Sequence, residues 1–207
     1  FGGAGGGLGG GGGGSGINFF GLRARAKNVV FVVDVSGSMI KDKGKSYQTY
    51  EALEREVVKV INSLDISSSF GLVAFAGDVA LYKEGLSAAR MEEKRRAAVW
   101  LNKMSPLTAD KRDPGEDMDT EFSHAGTRAG AALEKAFALR PDVIFFVSDG
   151  EPTDKKGDEI ISQVASLQRN LTHPAMVNAV AYLADAGQEF MRGLAAQNKG
   201  QFREIRP

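Results

Sequence analysis

The chain has 207 residues, 26 glycines, no cysteine, two histidines and equal numbers of basic and acidic side chains. This length suits one domain with its own core, and the missing thiols exclude disulfides, thiolate zinc sites, iron–sulfur ligation and a cysteine nucleophile. A net charge of zero argues against broad electrostatic binding to nucleic acid or an anionic membrane, and any bound metal should be a hard one held by oxygen.

Residues 1–16 hold twelve of the glycines. A run without side chains has nothing to pack and the most backbone entropy to lose, so it reads as a flexible linker. The G-x-G-x-x-G matches inside it carry no weight, because no strand precedes them. The chain opens on Phe1 rather than Met and reads as a fragment or processed form, displayed at the end of something longer. No apolar stretch approaches the ~20 residues of a membrane-spanning helix, and no signal-peptide pattern is present.

Strand and helix signals alternate from Ile17 onward. Phe20, Leu22, Ala24 and Ala26 alternate with Gly21, Arg23, Arg25 and Lys27, predicting a strand with one basic face, suited to a sheet edge. A solid apolar strand follows at 29–34, closed by Asp34. Tyr50, Leu53, Val57, Ile61 and Leu64 repeat at helical spacing, with Ser46 as N-cap. Residues 70–76 read as a strand and 79–82 as a short partner beyond the Gly77–Asp78 turn. A helix at 88–104 buries Met91, Ala98, Leu101 and Met104, and a long polar loop then runs over 105–124. The remainder reads as helix 127–139, strand 142–148, helix 158–169, strand 176–183, helix 188–197 and a closing strand at 201–205.

Apolar strands separated by amphipathic helices predict a doubly wound α/β fold, with a mostly parallel central sheet and helices on both faces. Ligands of such sheets bind at the carboxyl ends of the strands, where the strand order reverses. The first solid strand exits as VVFVVDVSGSM, and the spacing of two puts Asp34, Ser36 and Ser38 on the same side of an extended exit. The strand VIFFVSDG sets Asp149 at the equivalent edge, and Thr127 stands at a helix start after Gly126. Two carboxylates and three hydroxyls in one place suit Mg²⁺, with Mn²⁺ or Ca²⁺ in its stead.

The D-x-S-x-S of Asp34, Ser36 and Ser38, together with Thr127 and Asp149, resembles the metal-ion-dependent adhesion site of von Willebrand factor type A (vWA) domains, including those of bacterial proteins. The similarity runs from about residue 29 to 205. It implies that Ser36, Ser38 and Thr127 ligate Mg²⁺ directly while Asp34 and Asp149 act through water. It also implies binding to a partner protein whose Glu or Asp completes the coordination. Two departures stand out. The helix that usually follows the last strand of the family does not appear before Pro207. The loop at 105–124 is longer than the family's usual turn and is rich in acid (Asp110, Asp113, Glu116, Asp117, Asp119 and Glu121).

Rival readings are weaker. Gly44, Lys45 and Ser46 suggest a phosphate-binding loop of an NTPase, but six residues rather than four separate Gly37 from Gly44. His124, near Thr127, reads as a loop histidine and His173 as a surface one, so no general base emerges. The chain therefore reads as a cation-dependent protein-binding module and not an enzyme, with a ligand-free structural domain as the alternative. The linker favours a bacterial envelope location or a membrane tether upstream.

Overall fold

The computed structural model describes residues 14–40, 46–110, 122–184 and 186–206. Of the glycine-rich segment, residues 1–13 lie outside this set, as do Lys41, Lys43, Gly44 and Lys45 and the acidic stretch 111–121. Ser15 and Gly16, read above as linker, already belong to a strand.

That strand is β1, Ser15–Phe19, which pairs antiparallel with β2, Leu22–Ala26, as a separate two-stranded sheet. Sequence alternation had run one strand through Phe20 and Gly21. These two instead form the turn, both at positive φ (49° and 82°), which is the backbone hand that matches the twist of a tight hairpin. Ile17, Phe19, Leu22 and Ala26 face the core while Arg23 and Arg25 face out. The basic strand is therefore no edge of the main sheet. The hairpin lies across its face, where the Phe19 ring meets Phe31 and Phe145 edge-on at 5.5 and 5.2 Å.

The main sheet contains β3 (Asn28–Asp34), β4 (Ser69–Phe75), β5 (Val79–Leu81), β6 (Ser87–Ala88), β7 (Val143–Ser148), β8 (Met176–Tyr182) and β9 (Phe202–Ile205). Its order is β5-β4-β3-β7-β8-β9, with β6 also on β4. β5 and β6 pair antiparallel and every other neighbour is parallel. The chain leaves β3 for β4 on one side and later returns to β7 on the other. The order therefore reverses at β3, and a crevice forms at its carboxyl end.

Both faces of β3 are buried, which is why it reads as an unbroken apolar run. Val29, Phe31 and Val33 join one core with α1 (Ser46–Ser63), α2 (Met91–Met104) and the hairpin. Val30 and Val32 join the other, with α4 (Ala129–Ala138), α5 (Gly157–Arg169) and α6 (Gln188–Gln197). α1 buries Tyr50, Leu53, Val57 and Ile61 as its spacing predicted; the side chain of Ser46 lies outside the described residues.

Two further expectations need correction. α2 begins at Met91, because Ser87 and Ala88 pair with Phe70 and Ser69 as a strand. Its buried stripe is accordingly Ala97, Leu101 and Met104, while Met91 stands 70% exposed. The segment read as one loop from 105 also opens with a short helix, α3 (Pro106–Asp110), whose Leu107 is buried in the first core.

Gly77 turns the chain between β4 and β5, and a Cβ there would sit 2.1 Å from the Ala125 carbonyl oxygen. Gly85 has nothing within 4 Å of the same position. Gly77→Ala should therefore cost about 1–3 kcal/mol through forced backbone movement, lowering the melting temperature by roughly 2–10 °C. Gly85→Ala should leave it within error. Thermal unfolding of the two variants side by side checks the packing, and equal melting temperatures would contradict it.

Candidate functional site

The exits of β3, β7 and β8 and the start of α4 converge on the crevice. β3 ends in Asp34, which is fully buried. Its Oδ1 accepts the Ser36 N–H at 2.9 Å and its Oδ2 accepts the Ser148 hydroxyl at 2.6 Å. Beyond it a 3-10 turn, Gly37–Ile40, brings the Ser36 and Ser38 hydroxyl oxygens to 2.7 Å. The Ser38 hydroxyl donates to Asp149 Oδ1 at 3.0 Å.

Thr127 stands just ahead of α4, after Gly126 at φ 96°. It is only 7% exposed and is held on both sides by one residue: its N–H donates to Thr153 Oγ1 at 2.8 Å, and its carbonyl accepts the Thr153 N–H at 2.9 Å. Ser36, Ser38, Thr127 and Asp149 all line one open cleft of about 830 Å³. Asp34 does not line it and instead touches Ser36 from below. The structure thus gathers all five residues singled out in the sequence, four around the cleft and one beneath it.

The electrostatics follow from this arrangement. Burial raises the Asp34 pKa from 3.8 to about 7, with the nearby negative charge of Asp149 adding to the rise and hydrogen bonds from Ser148 and Ser36 opposing it. A cation beside the two carboxylates would offset their mutual repulsion and favour the ionised form of both. Among the described residues no three His, Cys, Asp or Glu side chains gather as a metal cluster, so a cation here would depend on the hydroxyls as well as the two acids. An all-oxygen set carrying two negative charges fits a hard divalent ion and not a soft one.

Sequence reading missed the residues that support this set. Ser148 is a fully buried hydroxyl at the end of an apolar strand. Such a group needs an acceptor, and that was the signal available for it. Thr153 and Asp154 gave none, since they resemble ordinary turn residues. His124 is a loop histidine as expected, but an ordered one: its Nδ1 lies 2.7 Å from the Val35 carbonyl, and its own carbonyl accepts the Gly37 N–H at 2.9 Å.

The family model described as "von Willebrand factor type A domain" matches residues 29–151, from the start of the β3 apolar run to just past Asp149. Mouse inter alpha-trypsin inhibitor, heavy chain 4, is 26% identical over 184 residues, covering 89% of this chain and 18% of that protein. The chain spans less than a fifth of the length of these curated relatives. Among solved structures, a von Willebrand factor type A protein from Catenulispora acidiphila superposes with a TM-score of 0.64 at 19% identity, over 90% of this chain and 40% of that one. Proximal thread matrix protein 1 from the mussel byssus, solved with a zinc-occupied MIDAS motif, gives 0.54 at 17%, over 86% and 41%. These structural likenesses show the same mostly parallel, doubly wound sheet. With more than half of its residues matched by the family model, the chain belongs to the von Willebrand factor type A domain family.

Proposed function

We propose that this domain binds a partner protein through a divalent cation, Mg²⁺ or in its place Mn²⁺ or Ca²⁺, and is a binding module rather than an enzyme. Ser36, Ser38 and Thr127 would hold the ion, with Asp34 and Asp149 balancing its charge. A carboxylate from a Glu or Asp of the partner would complete the coordination. The observation that carries this reading is the buried Asp34 facing the charge of Asp149, beside a hydroxyl chain that ends on Asp149 itself. Bound, the ion supplies an electrophilic centre that accepts one more anionic oxygen. Support also comes from the mussel thread protein, whose structure has zinc in its MIDAS motif.

Three features of the chain serve such a role. Asp34 is fixed by two hydrogen bonds, so its carboxylate need not reorganise when charge arrives. Ser38 is half-buried and Thr127 nearly buried, so these hydroxyls lose little side-chain freedom on taking up an ion. The cleft remains open on its outer side, leaving room for a side chain of a second protein.

Adding Mg²⁺ at about a hundredfold excess over Kd should stabilise the domain by ~2.7 kcal/mol, or roughly 5–10 °C in melting temperature. Thr127→Ala and Asp149→Ala should abolish that gain. Differential scanning calorimetry with Mg²⁺, Mn²⁺ and Ca²⁺ makes the measurement; no response to any of them would leave a ligand-free structural domain. Recovery of a partner in pull-downs should in turn depend on omitting EDTA, and equal recovery with chelator would sink metal bridging.

In metal-free solution the sign of the pH effect is fixed by Asp34. Its folded pKa of about 7 lies above its ordinary 3.8, so its contribution to stability is complete below pH ~4 and is lost as the pH rises towards ~7. Asp34→Asn stays neutral throughout and should lack this slope. The wild-type minus Asp34→Asn difference in unfolding free energy, measured by denaturant titration after metal removal, should fall between pH 4 and 7. A flat or rising difference would contradict the burial of a titrating carboxylate.

A further inference from the structure

The helix that presents Thr127 does not cap itself. Arg128, at the N-cap of α4, has φ −82° and ψ 60° and gives no side-chain hydrogen bond to the helix. The first-turn donors are met from elsewhere: Asp154 Oδ1 accepts the Gly130 N–H at 3.3 Å and Oδ2 the Ala131 N–H at 3.0 Å. A residue 24 positions away in sequence thus takes the place of the usual local cap. Its carboxylate also sits where the N-terminal end of the helix dipole favours negative charge. Beside it, Thr153 grips the Thr127 backbone through both its N–H and its carbonyl.

Thr153 and Asp154 belong to the loop that leaves β7, and Asp149 belongs to that same loop. Four hydrogen bonds from two adjacent residues therefore lock the segment bearing Asp149 to the segment bearing Thr127. We propose that Thr153, assisted by Asp154, is a positioning residue that sets the Thr127 hydroxyl relative to Asp149 and so sets the cation affinity of the cleft. Thr153 is itself exposed whereas Thr127 is nearly buried. Replacing Thr153 by Val keeps its shape and opens no core cavity. It does strip the acceptor from a buried N–H, and that N–H belongs to a residue of the cleft. Groups that orient ligands in this way typically govern metal affinity by about 10–100-fold.

The inference rests on the metal reading of the cleft, so its test has one arm that depends on metal and one that does not. In the first, Mn²⁺ binding is followed by electron paramagnetic resonance for the wild type, Thr153→Val and Thr153→Ser. Thr153→Val should weaken binding by about tenfold or more, and Thr153→Ser, which restores the hydroxyl, should recover it. In the second, amide hydrogen exchange is read by NMR on the metal-free proteins. The Thr127 amide should exchange at least tenfold faster in Thr153→Val and return to the wild-type rate in Thr153→Ser, while amides of β3 and β7 stay protected.

Unchanged Mn²⁺ affinity in Thr153→Val, or a serine variant as weak as the valine one, would overturn the positioning role. A wild type that binds no Mn²⁺ would instead overturn the metal reading. In that event the exchange arm still decides whether Thr153 holds Thr127: an unchanged Thr127 rate refutes the lock, and a faster one reversed by serine upholds it. Asp154→Asn keeps one carbonyl acceptor and loses the charge. It should speed exchange at Gly130 or Ala131 more than at Thr127, and equal acceleration at all three would argue for general fraying of α4.

Discussion

A carboxylate with no exposure to water is the constraint on which the rest of this structure depends. Asp34 ends the central strand of a sheet covered on both faces, so its charge meets solvent nowhere. Burying an ionised group without compensation costs several kcal/mol. The fold answers with a backbone N–H on one oxygen and a hydroxyl on the other, and neither donor is on β3 itself. Ser36 comes from the strand exit and Ser148 from the end of β7, a neighbour in parallel register. The acid therefore demands that β3 and β7 end together and that the chain turn immediately after Asp34. Those two demands build the floor of the cleft.

Parallel strands meet the first demand for reasons of pattern alone. Val29 to Val33 pair in register with Val143 to Val147, and the alternate side chains serve two different cores. Slipping either strand by one residue would exchange the two sets and move Ser148 to the wrong face. Ring contacts reinforce the register: Phe31 stacks on Phe145 at 5.5 Å on one face, and Phe75 on Phe146 at 5.4 Å on the other. Packing far from the cleft thus fixes which oxygen reaches Asp34.

What could be read from the sequence divides along physical lines. β3, β4, β7 and β8 were legible because strands buried on both faces are mostly apolar, with Asn178 the one polar residue inside β8, and the longer helices because one stripe recurs at helical spacing. The five oxygen-bearing residues were legible because each sits at the end of such an element. The hairpin was not. Its first strand abuts a glycine run that swamps any pattern, and Phe20 adopts positive φ, which sequence reading assigns to glycine or asparagine by default. The start of α2 was also misjudged: Ser87 and Ala88 are compatible with a helix and become a strand only because Phe70 and Ser69 lie opposite them. Thr153 and Asp154 were invisible for the same reason, since their roles depend on partners more than twenty residues away.

The segment 123–128 shows how tertiary hydrogen bonds complete what pattern begins. The His124 carbonyl accepts from Gly37 beyond β3, the Ser123 carbonyl from Gly77 beyond β4, and the Thr127 carbonyl from Thr153 beyond β7, while the Arg128 N–H donates to Ala76. One short stretch of chain thereby bonds to the exits of three strands. Its conformation is dictated by their ends. Phe122 anchors the start of this stretch by packing against the first core and setting its ring edge-on to His124 at 5.1 Å, so the Thr127 segment is tied down at both of its ends.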